Sequence, residues 1–169
     1  MSFIDELLRD NEAYVAGFTK GHLPLPPGRK AAIVVCMDAR IDPAKAFGLQ
    51  EGDVHVIRNA GGRVVEALRS LAISQVLLGT EAVVIIHHTD CGMLTFTDEI
   101  LRGMLRKRSG ADADHIAFLP FNDVDGSVRD DLRIYRQSPL VRQDVPLRGF
   151  VYDVRTGGLR EIFASIDGP

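Results

Sequence analysis

Runs of largely aliphatic residues alternate with helical patterns along this chain. We predict strands at the aliphatic runs, which are residues 31–35, 54–57, 82–86 and 147–154, with a hairpin return at 159–163. We predict helices where apolar residues recur at spacings near three and four, which are residues 3–18, 43–48, 63–78, 95–108 and 127–137, the last capped by Ser127. Continuous apolar strands between helices predict an α/β fold with a mainly parallel central sheet and helices on both faces.

The first helical pattern is separated from the rest of the chain. Residues 3–18 predict an amphipathic helix with Ser2 as its N-cap, and the proline-rich residues 21–28 cannot continue it. We therefore expect residues 1–30 to form an N-terminal helical arm and connector. Residues 31–169 are expected to form one α/β domain, because 169 residues are enough for one well-packed domain and few for two.

Composition narrows the partners and the compartment. The net charge is −3 and no basic run stands out, so we expect neither nucleic acid nor a membrane surface as a partner. The expected partner is a small-molecule substrate. No stretch approaches the roughly 18 apolar residues of a membrane span. Acidic residues at 5, 6 and 10 stand where a secretory signal carries positive charge, which predicts a cytoplasmic protein.

Both cysteines of the chain follow predicted strands. Cys36 follows the run 31–35, while His88 and Cys91 follow 82–86. Ligands gather beyond the carboxyl ends of parallel strands, so these three side chains are expected to meet. Two thiolates and an imidazole suit Zn²⁺, and a site with three protein ligands keeps the open position of a catalytic zinc. A disulfide or inert buried thiols are the alternatives, but a reducing compartment disfavours the disulfide.

Two neighbours of these cysteines complete the candidate site. His87 competes with His88 for the metal, but adjacent strand residues point to opposite sides, so we assign His88 as the ligand and give His87 a packing or hydrogen-bonding role. Asp38 and Arg40 are predicted to pair through a bidentate fork, which would orient the carboxylate toward a hydroxide on the zinc. A structural loop salt bridge is the alternative for this pair.

Three motifs resemble those of the β-class carbonic anhydrases. They are residues 36–40 (CMDAR), 52–61 (GDVHVIRNAG) and 87–93 (HHTDCGM), joined by 147–153 (LRGFVYD) with Thr156-Gly157. The chain is most similar to the compact microbial subgroup of methanogen and mycobacterial enzymes, since Pro27 stands where plant-type members carry a substrate-contacting Gln. The resemblance implies a four-stranded parallel core with an added antiparallel strand.

The resemblance also implies a reaction and an assembly. Zinc would be held by Cys36, His88 and Cys91, with Asp38 and Arg40 as the catalytic dyad, and a zinc-bound hydroxide would hydrate carbon dioxide reversibly to bicarbonate and a proton. A homodimer is implied, in which N-terminal helices embrace the neighbouring subunit. Further assembly of such dimers stays open.

Alternatives and secondary roles follow from the same site. The scaffold also suits hydrolysis of carbonyl sulfide or carbon disulfide, and a non-catalytic zinc module is a third hypothesis. Asp38 is a candidate fourth zinc ligand in a closed, self-inhibited state. The backbone N–H of Gly92 is a candidate for substrate binding because it follows Cys91, and His22 and His55 are weaker candidates for moving the proton.

Overall fold

The structure is a computed structural model that describes residues 2–163. Its strands are β1 (Ala31–Cys36), β2 (Val54–Asn59), β3 (Ala82–His88), β4 (Leu147–Tyr152) and β5 (Leu159–Ile162). Its α-helices are α1 (Phe3–Ala16), α2 (Pro43–Phe47), α3 (Val64–Leu78), α4 (Asp98–Ser109) and α5 (Val124–Gln137).

The strands form one sheet in the order β2-β1-β3-β4-β5. The first four are parallel, and β5 returns antiparallel to β4. The predicted α/β class, with a mainly parallel sheet and one antiparallel strand, is confirmed. Because β1 pairs directly with β3 and Val35 lies opposite Ile86, the carboxyl ends of these two strands lie side by side.

One face of the sheet carries the larger core. Val34 of β1 and Ile85 of β3 are fully buried there against α3 and α5, which contribute Val64, Leu71 and Val128. Burying each such side chain stabilises the fold by roughly 1.5–3 kcal/mol. This face is therefore the rigid support against which the strand ends are held.

The opposite face is only partly covered. Ile33 and Ile86 pack there with Ile41 and with Phe47 of α2. Beside them an apolar groove of about 470 Å³ stays open, and Phe150 of β4 contributes to its wall. The uncovered groove exposes apolar surface that a further element could bury.

The first helix lies apart from both cores. A capping box between Ser2 and Asp5 starts it, and none of its residues is buried. A polar contact attaches the helix to the rest of the chain, because the hydroxyl of Tyr14, near the end of the helix, donates to Glu51. The helix ends at Ala16, two residues before the predicted end. Across residues 2–163, every helix is too short or too polar to cross a membrane.

The start of α5 differs from the prediction. Asp123, not Ser127, is the N-cap, because its carboxylate accepts hydrogen bonds from the backbone N–H groups of Asp125 and Gly126. Ser127 lies inside the first turn, 2.8 Å from the carbonyl oxygen of Val124. The prediction of Ser127 as the cap was therefore wrong.

Candidate metal centre

The three predicted zinc ligands lie together at the carboxyl edge of the sheet. Cys36 ends β1, His88 ends β3, and Cys91 follows in the loop after β3. All three are buried, and one ligand atom from each lies within 4.8 Å of the other two. Both cysteines are free thiols. The structure thus brings together residues separated by up to 55 positions in the chain.

The imidazole of His88 is oriented for a metal. Its Nδ1 lies 2.9 Å from the carbonyl oxygen of Thr89, which can only accept, so Nδ1 carries the proton and Nε2 presents a lone pair. Thr89 is itself fixed, because its N–H donates to the Tyr152 carbonyl at 2.9 Å. Among the described residues, Nε2 of His88 is buried without a hydrogen-bond partner.

An adjacent glycine turn supports the thiolate of Cys36. The N–H of Gly61 donates to its Sγ at 3.3 Å, and the hydrogen bond from Cys91 is the largest effect lowering the pKa of the Cys36 thiol. Gly62 approaches β1 so closely that a Cβ would lie 2.9 Å from the Cys36 nitrogen, and its φ is +70°. Only glycine fits this position without displacing the ligand strand.

The donor set fits zinc. Thiolate sulfur and imidazole nitrogen are the ligands that Zn²⁺ prefers, and three of them leave one coordination position for water or substrate. A buried imidazole nitrogen without a partner is costly in a metal-free protein, and a metal ion removes that cost. Cys36, His88 and Cys91 therefore form a site that can hold the predicted Zn²⁺.

The predicted fork between Asp38 and Arg40 is present. Arg40 donates from Nε to Oδ1 at 3.0 Å and from Nη2 to Oδ2 at 2.8 Å, and its backbone N–H also reaches Oδ1. These contacts, with the Arg40 side chain as the largest cause, hold the pKa of Asp38 well below its usual range. Oδ2 of Asp38 lies 3.7 Å from Nε2 of His88, so an ionised carboxylate borders the metal site.

Two residues that the sequence prediction did not name hold this dyad. Asp90 accepts from Nη1 of Arg40 at 2.6 Å and, through its carbonyl, from Nη2 at 2.8 Å. Arg58 donates to the carbonyl oxygens of Cys36 and Asp38 at 3.0 and 2.8 Å. Arg58 lies inside the motif at 52–61, and Asp90 lies inside the motif at 87–93. Their charged side chains within those motifs were the signal available in the sequence.

The remaining candidates occupy different places. His87 points away from the metal site and lies 3.0 Å from Asp131 and 2.6 Å from Ser127. Gly92 is exposed in the short turn that follows Cys91. His55 lies on β2, where its Nδ1 is 2.7 Å from the hydroxyl of Ser74. His22 is exposed and near Thr19.

Comparison with known proteins agrees with this geometry. A family model described as carbonic anhydrase matches residues 31–117. Beta-carbonic anhydrase 1 of Mycobacterium tuberculosis is 46% identical over 165 residues, covering 96% of this chain and 99% of that protein. The carbon disulfide hydrolase of Acidianus sp. is 32% identical over 183 residues, covering 94% and 88%. The crystal structure of carbonic anhydrase from Streptococcus mutans has a TM-score of 0.92 and 46% identity, covering 96% and 99%.

Proposed function

Because this chain belongs to the β-carbonic anhydrase family, we propose that it catalyses the reversible hydration of carbon dioxide to bicarbonate and a proton. A zinc ion held by Cys36, His88 and Cys91 is the cofactor. The observation that carries the proposal is Nε2 of His88. Within residues 2–163 this nitrogen is buried without a hydrogen-bond partner, beside two thiols and 3.7 Å from the carboxylate of Asp38.

The chemistry divides between the cofactor and the side chains. Zinc, when bound, supplies a Lewis acid that lowers the pKa of water from about 15.7 to about 7, so that a nucleophile exists at neutral pH. Asp38, kept ionised by Arg40, accepts a hydrogen bond at Oδ2 from the attacking water and orients its lone pair toward the substrate carbon. The three ligand side chains are buried, which shields their donor atoms from bulk water.

Two further roles belong to this proposal. The backbone N–H of Gly92 lies directly after Cys91 on the exposed side of the turn, where it can donate to a substrate oxygen. In a closed state the Asp38 carboxylate would leave the Arg40 fork and take the fourth zinc position. Nη2 of Arg40 lies 2.8 Å from Oδ2 of Asp38 in this structure, so the fork would have to open first.

The test joins metal content to turnover. We expect the wild type to bind one zinc per chain and to hydrate carbon dioxide in a stopped-flow assay, and we expect Cys36→Ser and His88→Gln to lose both. His115→Gln is the matched control, since it makes the same substitution at an exposed position in the loop after α4. Full activity in His88→Gln, or equal losses in the two histidine variants, would refute the proposal.

Carbon disulfide is the second candidate substrate. The observation that favours it is the hydrolase of Acidianus sp., whose similarity covers most of this chain. The same ligand set can serve either linear electrophile, or carbonyl sulfide, so geometry at the metal does not separate them. Competition between carbon dioxide hydration and sulfide release from carbon disulfide or carbonyl sulfide decides. Fast sulfide release with negligible hydration would replace the primary proposal.

We further propose that two copies assemble as a homodimer through α1. Within the proposed arm of residues 1–30, α1 exposes an apolar stripe that the described residues of its own chain leave uncovered. The stripe includes Phe3, Ile4, Leu7, Leu8 and Val15. The open groove of about 470 Å³ on the sheet is apolar as well. A second copy's α1 lying on this surface would bury both.

Substitutions on the two sides of α1 test the assembly. Leu7→Asp places a charge in the apolar stripe and should convert the dimer to monomer in sedimentation velocity. Ala13→Asp adds the same charge on the opposite side of the helix and should leave the dimer intact. If both variants sediment like the wild type as dimers, α1 is not the interface.

We propose a cytoplasmic location for the enzyme. The support is the pair of free, buried cysteines, whose thiolates must stay reduced to bind zinc. Fractionation of cells that produce the tagged protein tests this, and recovery in an oxidising compartment would contradict it.

A further inference from the structure

Behind the metal site lies a buried cluster of charged and polar side chains that the reaction does not use. We call it the rear network, and it consists of Arg63, His87, Ser127 and Asp131. Asp131 and His87 are fully buried, and Arg63 and Ser127 are 7% and 2% exposed. Buried charge of this kind is costly unless every partner is satisfied, so the arrangement needs a physical explanation.

Asp131 on α5 is the centre of the rear network. Its Oδ2 accepts from Nε of Arg63 at 3.1 Å, from the backbone N–H of Val64 at 3.0 Å and from Nε2 of His87 at 3.0 Å. A carboxylate only accepts, so Nε2 of His87 carries a proton, and Nδ1 faces the Ser127 hydroxyl at 2.6 Å. One carboxylate thus joins α5 to the start of α3 and the end of β3.

The Arg63 branch reaches Cys36. The side-chain amide of Asn59 bonds both backbone groups of Arg63, at 2.6 and 2.8 Å, and so closes the backbone around the Gly61-Gly62 turn. That turn aims the Gly61 N–H at Sγ of Cys36. Fixing Arg63 on Asp131 therefore fixes a direct hydrogen bond to one ligand.

The His87 branch reaches the other two ligands. His87 precedes His88 on β3, so an anchored His87 ring sets the position from which His88 projects to the opposite side. Phe121 stacks on His87 with ring centroids 5.6 Å apart, and its N–H donates to the carbonyl of Met93 at 3.2 Å. Met93 lies in the turn that follows Cys91.

We propose that Asp131 is a positioning residue that holds the three ligand-bearing segments at metal-binding spacing before the metal arrives. The inference rests on the proposed zinc site and assigns to Asp131 no contact with substrate or metal. Preorganised ligands lose less freedom when they bind, so a loosened rear network should appear as weaker zinc binding.

Zinc affinity of the metal-free protein tests this directly. In Asp131→Asn, an N–H group replaces one of the carboxylate oxygens that Arg63 contacts, and we expect the zinc Kd to rise about 10–100-fold in competition with a chromophoric chelator. Tyr135→Phe is the control one turn further along α5, where the hydroxyl bonds Gln75 and the Arg142 carbonyl. Its zinc Kd should stay within about twofold of wild type.

A second measurement separates positioning from general destabilisation. The absorption bands of the cobalt-substituted protein report ligand geometry, and they should shift in Asp131→Asn but not in Tyr135→Phe. Amide hydrogen exchange at Gly61 in the metal-free protein should quicken in Asp131→Asn alone. If Asp131→Asn does not fold, Ser127→Ala, which removes only the hydroxyl facing His87, should raise the zinc Kd by a smaller factor.

The outcomes distinguish the two proposals. If Asp131→Asn folds and leaves zinc affinity, cobalt bands and Gly61 exchange unchanged, the positioning role is overturned while the zinc site stays in place. If Asp131→Asn does not fold, an unchanged zinc affinity in Ser127→Ala overturns the positioning role in the same way. Equal weakening in Tyr135→Phe would overturn it too, because the effect would then follow stability alone. A wild type that binds no zinc would refute the proposed function, and the positioning role with it.

Discussion

Two adjacent histidines at the end of β3 occupy opposite environments. His87 and His88 are both fully buried, yet they project to opposite sides of the strand. Both ring nitrogens of His87 meet polar atoms, at Ser127 and Asp131. His88 satisfies only Nδ1, and its Nε2 faces two thiols without a partner in the described part of the chain.

The contrast shows how hydrogen-bond partners distinguish a buried polar group with a structural role from one with a functional role. A buried polar atom with all its partners contributes to the fold, whereas one without a partner costs roughly 1–3 kcal/mol until something binds it. On the His87 side the protein itself completes the hydrogen bonds. On the His88 side the cost remains, and a metal ion relieves it.

Exchange of each histidine for glutamine gives the largest expected difference. His88→Gln should abolish zinc binding and lower carbon dioxide hydration at least about 1000-fold, because the metal contributes several kcal/mol to the reaction. His87→Gln should keep one zinc per chain at saturating metal. Metal analysis and stopped-flow hydration measure both, and zinc loss in His87→Gln alone would reverse the assignment.

The carboxylate beside His88 should have the next largest effect. Asp38→Asn removes the charged acceptor that borders the metal and should lower kcat/KM about 10–100-fold. Since Arg40 holds the pKa of Asp38 far below neutral, the carboxylate stays ionised across the assay range. The ratio of wild-type to variant rates should therefore be constant between about pH 6 and pH 8. A ratio that falls toward unity at lower pH would show that Asp38 leaves the Arg40 fork there, either by taking a proton or by entering the closed state.

In the metal-free protein the order of the two histidine variants should be reversed, because His87→Gln should lower stability more than His88→Gln does. His87→Gln leaves Asp131 or Ser127 short of a partner and should lower the free energy of unfolding by about 1–3 kcal/mol. His88→Gln removes one nitrogen that has no partner among the described residues and one that donates to the Thr89 carbonyl, so it should lower the free energy of unfolding by less than His87→Gln does. Urea denaturation in the presence of chelator measures both. Equal losses would remove the distinction between the two sides.

The smallest effect is expected at the outer rim of the His88 side. Asp90→Asn removes one charge beside Arg40 but keeps the carbonyl contact and tolerates the positive φ of 55° at this residue. Because the Arg40 fork on Asp38 survives, kcat/KM should change by less than about threefold. A loss as large as that of Asp38→Asn would place Asp90 within the catalytic machinery.

The predictable part of the molecule was local in the chain. The aliphatic runs located β1 and β3 to within a residue or two. Their alternation with helices indicated that the strands run parallel. The ligand set followed from thiol and imidazole chemistry at the ends of those strands. Ser127 was misassigned because a serine before a helical run resembles a cap, while Asp123 forms the cap.

What only the tertiary structure decided is the set of contacts between distant segments. Asp131 meets Arg63 and His87 across 68 and 44 positions, and Arg40 meets Asp90 across 50. Periodicity and ligand spacing carry no information about such pairs, because helix packing on the sheet fixes them. The sequence by itself determined which atoms can bind zinc, since that depends on residue type and strand ends. Packing decided that, among the described residues, Nε2 of His88 is a buried nitrogen without a hydrogen-bond partner and so is left to bind the metal.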